Sequence, residues 1–255
     1  MNLLFIGDVV GSSGCDILEK KLFEIKREHS IDITVVNGEN SAPGNGITPQ
    51  SYHRLINMGA DVITTGNHCF RRKETEELFD TEENLLRPAN YPNGVVGRGV
   101  TYIDMGACRV AVINLIGTMY LEALENPFSC ADRLLEAVDT KNIIVDFHAE
   151  ASSEKKAMGF YLEGRATAVL GTHTHVQTAD ETILGSHTAY ITDVGMTGPE
   201  RSVLGVDKDI VINKFLYHTP VRFSESEEAA FINAVVVSFD EKSGKATNIK
   251  RIIKR

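Results

Sequence analysis

Hydrophobic positions in this chain come in short unbroken runs separated by amphipathic stretches, the pattern of strands buried on both faces and joined by helices. Leu3 to Ile6 is the first run and ends in Gly7-Asp8; Ile17, Leu18, Leu22, Phe23 and Ile25 then recur at helical spacing up to about His29, with Ser12 or Ser13 in position to cap. Ile31 to Val36 predicts a second strand. Thr48-Pro49 opens a helix with a capping residue and a proline at the first helical position, and Gly59 closes it. Asp61 to Thr65 predicts a third strand, leading through Gly66-Asn67-His68 into a charged helix from about Arg72 to Phe79. Val100 to Asp104 and Arg109 to Leu115 flank Met105-Gly106-Ala107-Cys108 as a hairpin. Helix over Phe128 to Val138, strand over Ile143 to Phe147, helix over Ser153 to Glu163 and strand over Ala166 to Leu170 continue the alternation. Late strands are predicted over Ala189 to Thr192, Phe231 to Phe239 and Ile249 to Ile253, with a helix between Asp209 and Tyr217 and a hairpin turn at Glu241 to Gly244. Asp193 to Pro199 reads as a tight turn.

Parallel-type alternation followed by antiparallel-looking strands favours a four-layer α/β/β/α sandwich, two stacked mixed sheets between outer helices. With 255 residues and 42% hydrophobic content, residues 1–255 are expected to form one domain around a sizeable core. The net charge of −9 argues against a protein that coats nucleic acid or an anionic membrane, which needs clustered Lys and Arg. The four cysteines are far apart and form no CxxC, so neither a disulfide framework nor a thiolate metal site is suggested. The N-terminus has no basic region followed by a long apolar segment, and no apolar run approaches about 20 residues; a cytoplasmic location is expected. Oligomeric state is left open.

Candidate chemistry collects at the carboxyl ends of the predicted strands, where open α/β sheets bind their ligands. Asp8 follows the first strand, Glu39-Asn40 the second, Asn67-His68 the third, His148 a later one, and Gly171-Thr172-His173-Thr174-His175 the next. Alternate residues of an extended strand end point the same way, so His173 and His175 can converge. Each residue has a plainer reading: Asp8 as a helix cap, Asn40 and Asn67 as turn residues, His148 as a hydrogen-bonded interior histidine. Taken together, so many oxygen and nitrogen donors on one rim would be costly to desolvate without a cation to neutralise them.

These residues resemble the calcineurin-like metallophosphoesterases, most closely their bacterial branch of 2′,3′-cyclic-nucleotide 2′-phosphodiesterases, in the right order over nearly the whole chain. The superfamily pattern has Asp-x-His in its first block and an aspartate that bridges two metals. Here Asp8 is followed by Val9-Val10 and Glu39 stands at the bridging place, departures the bacterial branch shares, with Asn40 in place of the missing imidazole; Thr172 separates Gly171 from the histidine pair. The resemblance implies a hydrolase with two transition-metal ions, iron or manganese by preference and zinc as a further candidate. Asp8, Asn40 and His175 would hold one metal, Asn67, His148 and His173 the other, and Glu39 would bridge. It further implies attack by a metal-bridging hydroxide on a small phosphodiester, a 2′,3′-cyclic nucleotide by preference, with His68 as general acid.

Two rival readings remain at this level. Gly7 to Gly14 suggests a Rossmann-like nucleotide-binding protein, although its glycines follow GxxxGxxG and no Walker lysine is present. A metal-binding regulatory protein with little turnover would keep the same ligands. Pocket walls are not assembled by strand ends, and Ser41 to Thr48, Glu150 to Lys156 and Asp193 to Pro199 are the candidate rim segments.

Overall fold

The computed structural model describes residues 1–255 and arranges them around two sheets. In the first, β1 (Asn2–Ile6), β3 (Ile33–Asn37) and β4 (Val62–Thr64) run parallel, and β12 (Ala230–Phe239) lies antiparallel to β1 and pairs along β13 (Ala246–Lys254). Two short strands, β2 (Asp8–Val9) and β11 (Met196–Pro199), extend that sheet past β12. In the second, β6 (Arg109–Ile116), β7 (Asn142–His148), β8 (Ala168–Thr172) and β10 (Thr188–Ile191) are parallel, with β5 (Val100–Asp104) and β9 (Thr182–Leu184) antiparallel at the edges.

Period-two alternation divides each strand between two cores. Leu3, Phe5, Ile33 and Val35 meet Val110, Val112, Ile144, Ala168 and Leu170 between the sheets. Leu4, Ile6 and Val36 pack instead with Leu18, Leu22 and Ile25 of α1 (Gly11–Glu28) and Leu55 of α2 (Pro49–Asn57). On the far side Val145, Phe147 and Val169 pack with Cys130 of α4 (Pro127–Ala137) and Met158 of α5 (Ser152–Tyr161). The result is the four-layer α/β/β/α sandwich, and two-sheet stacking replaces the single-sheet Rossmann alternative. No helix is long and apolar enough to cross a membrane.

Local signals held where a side chain closes a backbone group. Thr48 Oγ1 accepts from Ser51 N at 3.2 Å with Pro49 in the first turn of α2, while Asn126 caps α4 and Asp207 caps α6 (Lys208–Tyr217). They failed elsewhere. Neither Ser12 nor Ser13 caps α1, which starts at Gly11 without a side-chain cap, so both serines lie inside the first turn. The charged stretch after Arg72 is a 3₁₀ turn (Lys73–Thr75) followed by α3 (Glu76–Thr81), and Thr75 Oγ1 donates to Ile47 O at 2.7 Å, tying that turn to the preceding loop. Asp193 to Pro199 is a turn only as far as Gly195, at φ 85°; Met196 and Thr197 then pair with Asp8 and Val9. The glycines after β1 serve close packing: a Cβ on Gly7 would strike Gly195 O, and one on Gly14 would strike Thr197 O.

Candidate metal centre

Both sheets deliver their parallel strands' carboxyl ends to one rim. The first supplies Asp8 from β2, Glu39 and Asn40 just past β3, and Asn67 and His68 past β4; the second supplies His148 from the last position of β7 and His173 and His175 past β8. Asp8, Glu39 and His148 are all within 1% of full burial, and Asn40 is 4% exposed. His148 Nε2 lies 3.0 Å from Asn67 Oδ1, 3.0 Å from His173 Nδ1 and 3.3 Å from Glu39 Oε1. His175 Nε2 lies 3.4 Å from Asn40 Nδ2 and 3.9 Å from Asp8 Oδ1. His68 N donates to Glu39 Oε2 at 3.1 Å, and its Nδ1 stands 2.9 Å from Asn40 Oδ1 and 3.1 Å from Glu39 Oε1.

The histidine pair does not converge from an alternating strand end as expected. β8 ends at Thr172, and His173 (φ 102°) and His175 (φ 65°) both take left-handed backbone, a conformation that costs a branched-chain or ring-bearing residue energy unless its surroundings impose it. The turn splits the rings. His173 turns toward His148, whereas His175 turns toward Asn40 and Asp8.

Burial alone would raise the Glu39 carboxyl, but the adjoining His148 and His68 rings overcome it and hold the group well below the usual carboxylate range. For His148, burial would favour the neutral ring, yet Glu39, Asp8 and Asp146 raise it to about 9. His173 goes the other way, to about 3, through burial and the neighbouring His148. Burial also raises Asp8, against the pull of His175 and His148.

The donor set fits a cation on three counts. Glu39, His148 and His173 place one ligand atom each within 4.8 Å of one another. Asp8 Oδ1 is buried without a hydrogen-bond partner, a costly state that a cation would relieve. A single proton on His148 Nε2 cannot serve the three groups that crowd it, and a Cβ on Gly66 would fill the space between the His148 ring and Glu39 Oε2.

A second tier of residues, missed in the sequence, fixes the three rings by their outer nitrogens. His148 Nδ1 lies 2.9 Å from Thr172 Oγ1, which donates to Asp146 Oδ1 at 2.7 Å. Asp146 is fully buried, accepts from Thr64 and Asn37, and is raised to about 6 by burial. His173 Nε2 pairs with Glu150 at 3.0 Å, and His175 Nδ1 donates to Leu204 O at 3.1 Å. Glu150 fell within a candidate rim segment without being assigned a partner, and Asp146 left a trace only as a carboxylate two residues before His148 in an otherwise apolar strand. The rim opens into a cleft of about 330 Å³ lined by Glu39, Asn40, His68, His173, His175 and Phe223 among others.

The fold and the relatives that share it mark the chain as a phosphoesterase. A family model for YmdB-like proteins matches residues 4–252, and the chain belongs to that family. It is 49% identical over 255 residues to the 2′,3′-cyclic-nucleotide 2′-phosphodiesterase of Bacillus subtilis, covering 99% of this chain and 97% of that one. The crystal structure of a phosphatase from Mycoplasma pneumoniae superposes with a TM-score of 0.95 at 33% identity, covering 99% of this chain and 92% of that one. A Thermus thermophilus protein described as hypothetical superposes with a TM-score of 0.94 at 38% identity, covering 99% and 98% respectively.

Proposed function

We propose that this chain is a dinuclear metal-dependent phosphodiesterase of small nucleotides, with 2′,3′-cyclic nucleotides as its substrates. The observation that carries the reading is the meeting of Glu39, His148 and His173 beside the unpaired Asp8 oxygen. The substrate class follows the Bacillus subtilis relative. Asp8, Asn40 and His175 would hold one metal, Asn67, His148 and His173 the other, and Glu39 would reach both. All-oxygen-and-nitrogen donation suits iron or manganese and accommodates zinc. When bound, such ions supply Lewis acidity at phosphorus and lower the pKa of water.

The chain's own residues orient the rest. Thr172, Glu150 and Leu204 O hold the three ligand rings by their outer nitrogens, so the inner ones stay aimed at the centre. Asn40 and Glu39 hold His68 by Nδ1, which leaves Nε2 to give a proton to the departing ribose oxygen as water adds to phosphorus and the bond to the 2′ oxygen breaks. The interior shared by both sheets supports treating residues 1–255 as a single phosphoesterase domain.

A panel of phosphomonoesters, linear diesters and 2′,3′-cyclic nucleotides, assayed with Mn²⁺, Fe²⁺ and Zn²⁺ in turn, tests the reading. Hydrolysis should be metal-dependent and fastest on the cyclic diesters. Preference for monoesters would overturn the substrate class, and metal uptake without hydrolysis would favour a metal-binding regulatory protein instead.

A further inference from the structure

The mechanism makes no use of a buried ion pair directly beneath the histidine turn. Lys155 Nζ of α5 meets Asp193 Oδ2 at 2.5 Å, with side chains 1% and 0% exposed. Asp193 Oδ2 also accepts from Thr174 N at 3.0 Å and Thr174 Oγ1 at 2.8 Å, so it grips the residue between His173 and His175. Its other oxygen accepts from Gly195 N at 2.7 Å, and Gly195 O in turn accepts from Asp8 N at 3.0 Å. One carboxylate is therefore linked to the backbone of three proposed ligands. The cleft residues include Thr174 but neither member of the ion pair, so the pair stands behind the site.

The sequence makes room for this arrangement at a cost that packing alone would not justify. A Cβ on Gly171 would strike Thr192 O and press on the Lys155 stem at 3.2 Å, so the glycine before the turn lets the lysine pass beneath it. A buried carboxylate is expensive without a partner, and a buried ammonium equally so. What the pair accomplishes is visible in the backbone: both His173 and His175 are left-handed, and Thr174 between them is the residue tied down.

We infer that the buried Lys155–Asp193 pair is a positioning device that clamps the His173-Thr174-His175 turn, and through Gly195 the Asp8 strand, in metal-binding register. The inference rests on the metal reading of the rim. Neither residue touches metal or substrate; each acts through Thr174 and Gly195. Substitution of such supporting partners typically weakens metal affinity about 10- to 100-fold.

The test is Mn²⁺ affinity of folded, metal-stripped protein, measured by chelator competition, for wild type, Lys155→Met, Lys155→Arg and Thr174→Val, with circular dichroism to establish folding. Lys155→Met should weaken Mn²⁺ binding within that 10- to 100-fold range, and Lys155→Arg, which keeps the charge, should recover most of it. Thr174→Val retains the ion pair and removes only the hydroxyl bond to Asp193, so it should fold and bind Mn²⁺ about tenfold more weakly; it decides the matter if Lys155→Met does not fold. Folded variants that bind Mn²⁺ as tightly as wild type would overturn the clamp while leaving the metal reading intact. Wild-type protein that takes up no Mn²⁺ would overturn the metal reading and the clamp with it.

Discussion

Glu39 and His68 touch twice, backbone N to Oε2 and ring Nδ1 to Oε1, yet removal of their side chains should have separable consequences. Glu39→Ala removes the carboxylate proposed to reach both metals, so the purified variant should lose its metal. His68→Ala should keep its metal and lose about 10² to 10⁴ in turnover, the usual worth of a general acid. Metal content and kcat measured on the same preparations separate the two; normal turnover in metal-loaded His68→Ala would remove His68 from the reaction. At this scale the donors themselves were legible, because Asp, Glu, Asn and His at successive strand ends are chemically conspicuous in apolar surroundings. Their supports were not. Glu150, Lys155 and Asp193 fell within candidate rim segments, but nothing in the sequence pairs Glu150 with His173, 3.0 Å away, or Lys155 with Asp193, 2.5 Å away.

Among the elements, the long strands and helices were legible from period and caps, whereas β2, β9 and β11 were not. At two to four residues these three carry too little alternation to register, β4 and β10 of like length having registered through their place in the strand–helix succession, and β11 exists because Gly195 turns the chain back toward Asp8. The left-handed backbone of His173 and His175 was equally invisible, since neither residue type demands it. The segment leaving that turn is fastened by Asp180, which accepts from Thr192 N at 3.1 Å, Thr192 Oγ1 at 2.5 Å and Thr178 Oγ1 at 2.7 Å. Burial would raise its carboxyl, but these donors and Lys156 lower it to about 2. A carboxyl depressed in the folded state stabilises above its unfolded pKa, near 3.9, and that stability is lost as pH falls toward about 2. Asp180→Asn should therefore lower the urea midpoint at pH 7, with the gap to wild type closing below about pH 4. A gap unchanged down to pH 2 would mean that the charge contributes nothing to fastening this loop.

Across the whole molecule, the two sheets divide the rim's chemistry between them. The first brings the carboxylates and carboxamides of Asp8, Glu39, Asn40 and Asn67, and the second brings the imidazoles of His148, His173 and His175. Neither sheet alone assembles the donor set, so stacking of the two makes the site. The division also reconciles a net charge of −9 with an anionic substrate: two divalent ions would outweigh the two rim carboxylates and leave a local positive centre in an acidic surface. Sheet stacking and the gathering of the rim were foreseeable from element order, whereas the clamp beneath the histidine turn depends on contacts between α5 and the loop after β10. The most direct test of the dinuclear centre is anomalous diffraction from crystals of the Mn²⁺-loaded protein. The expected result is two manganese peaks in the rim with the Glu39 carboxylate between them, one facing His173 and the other His175; a single peak, or none in the rim, would contradict it.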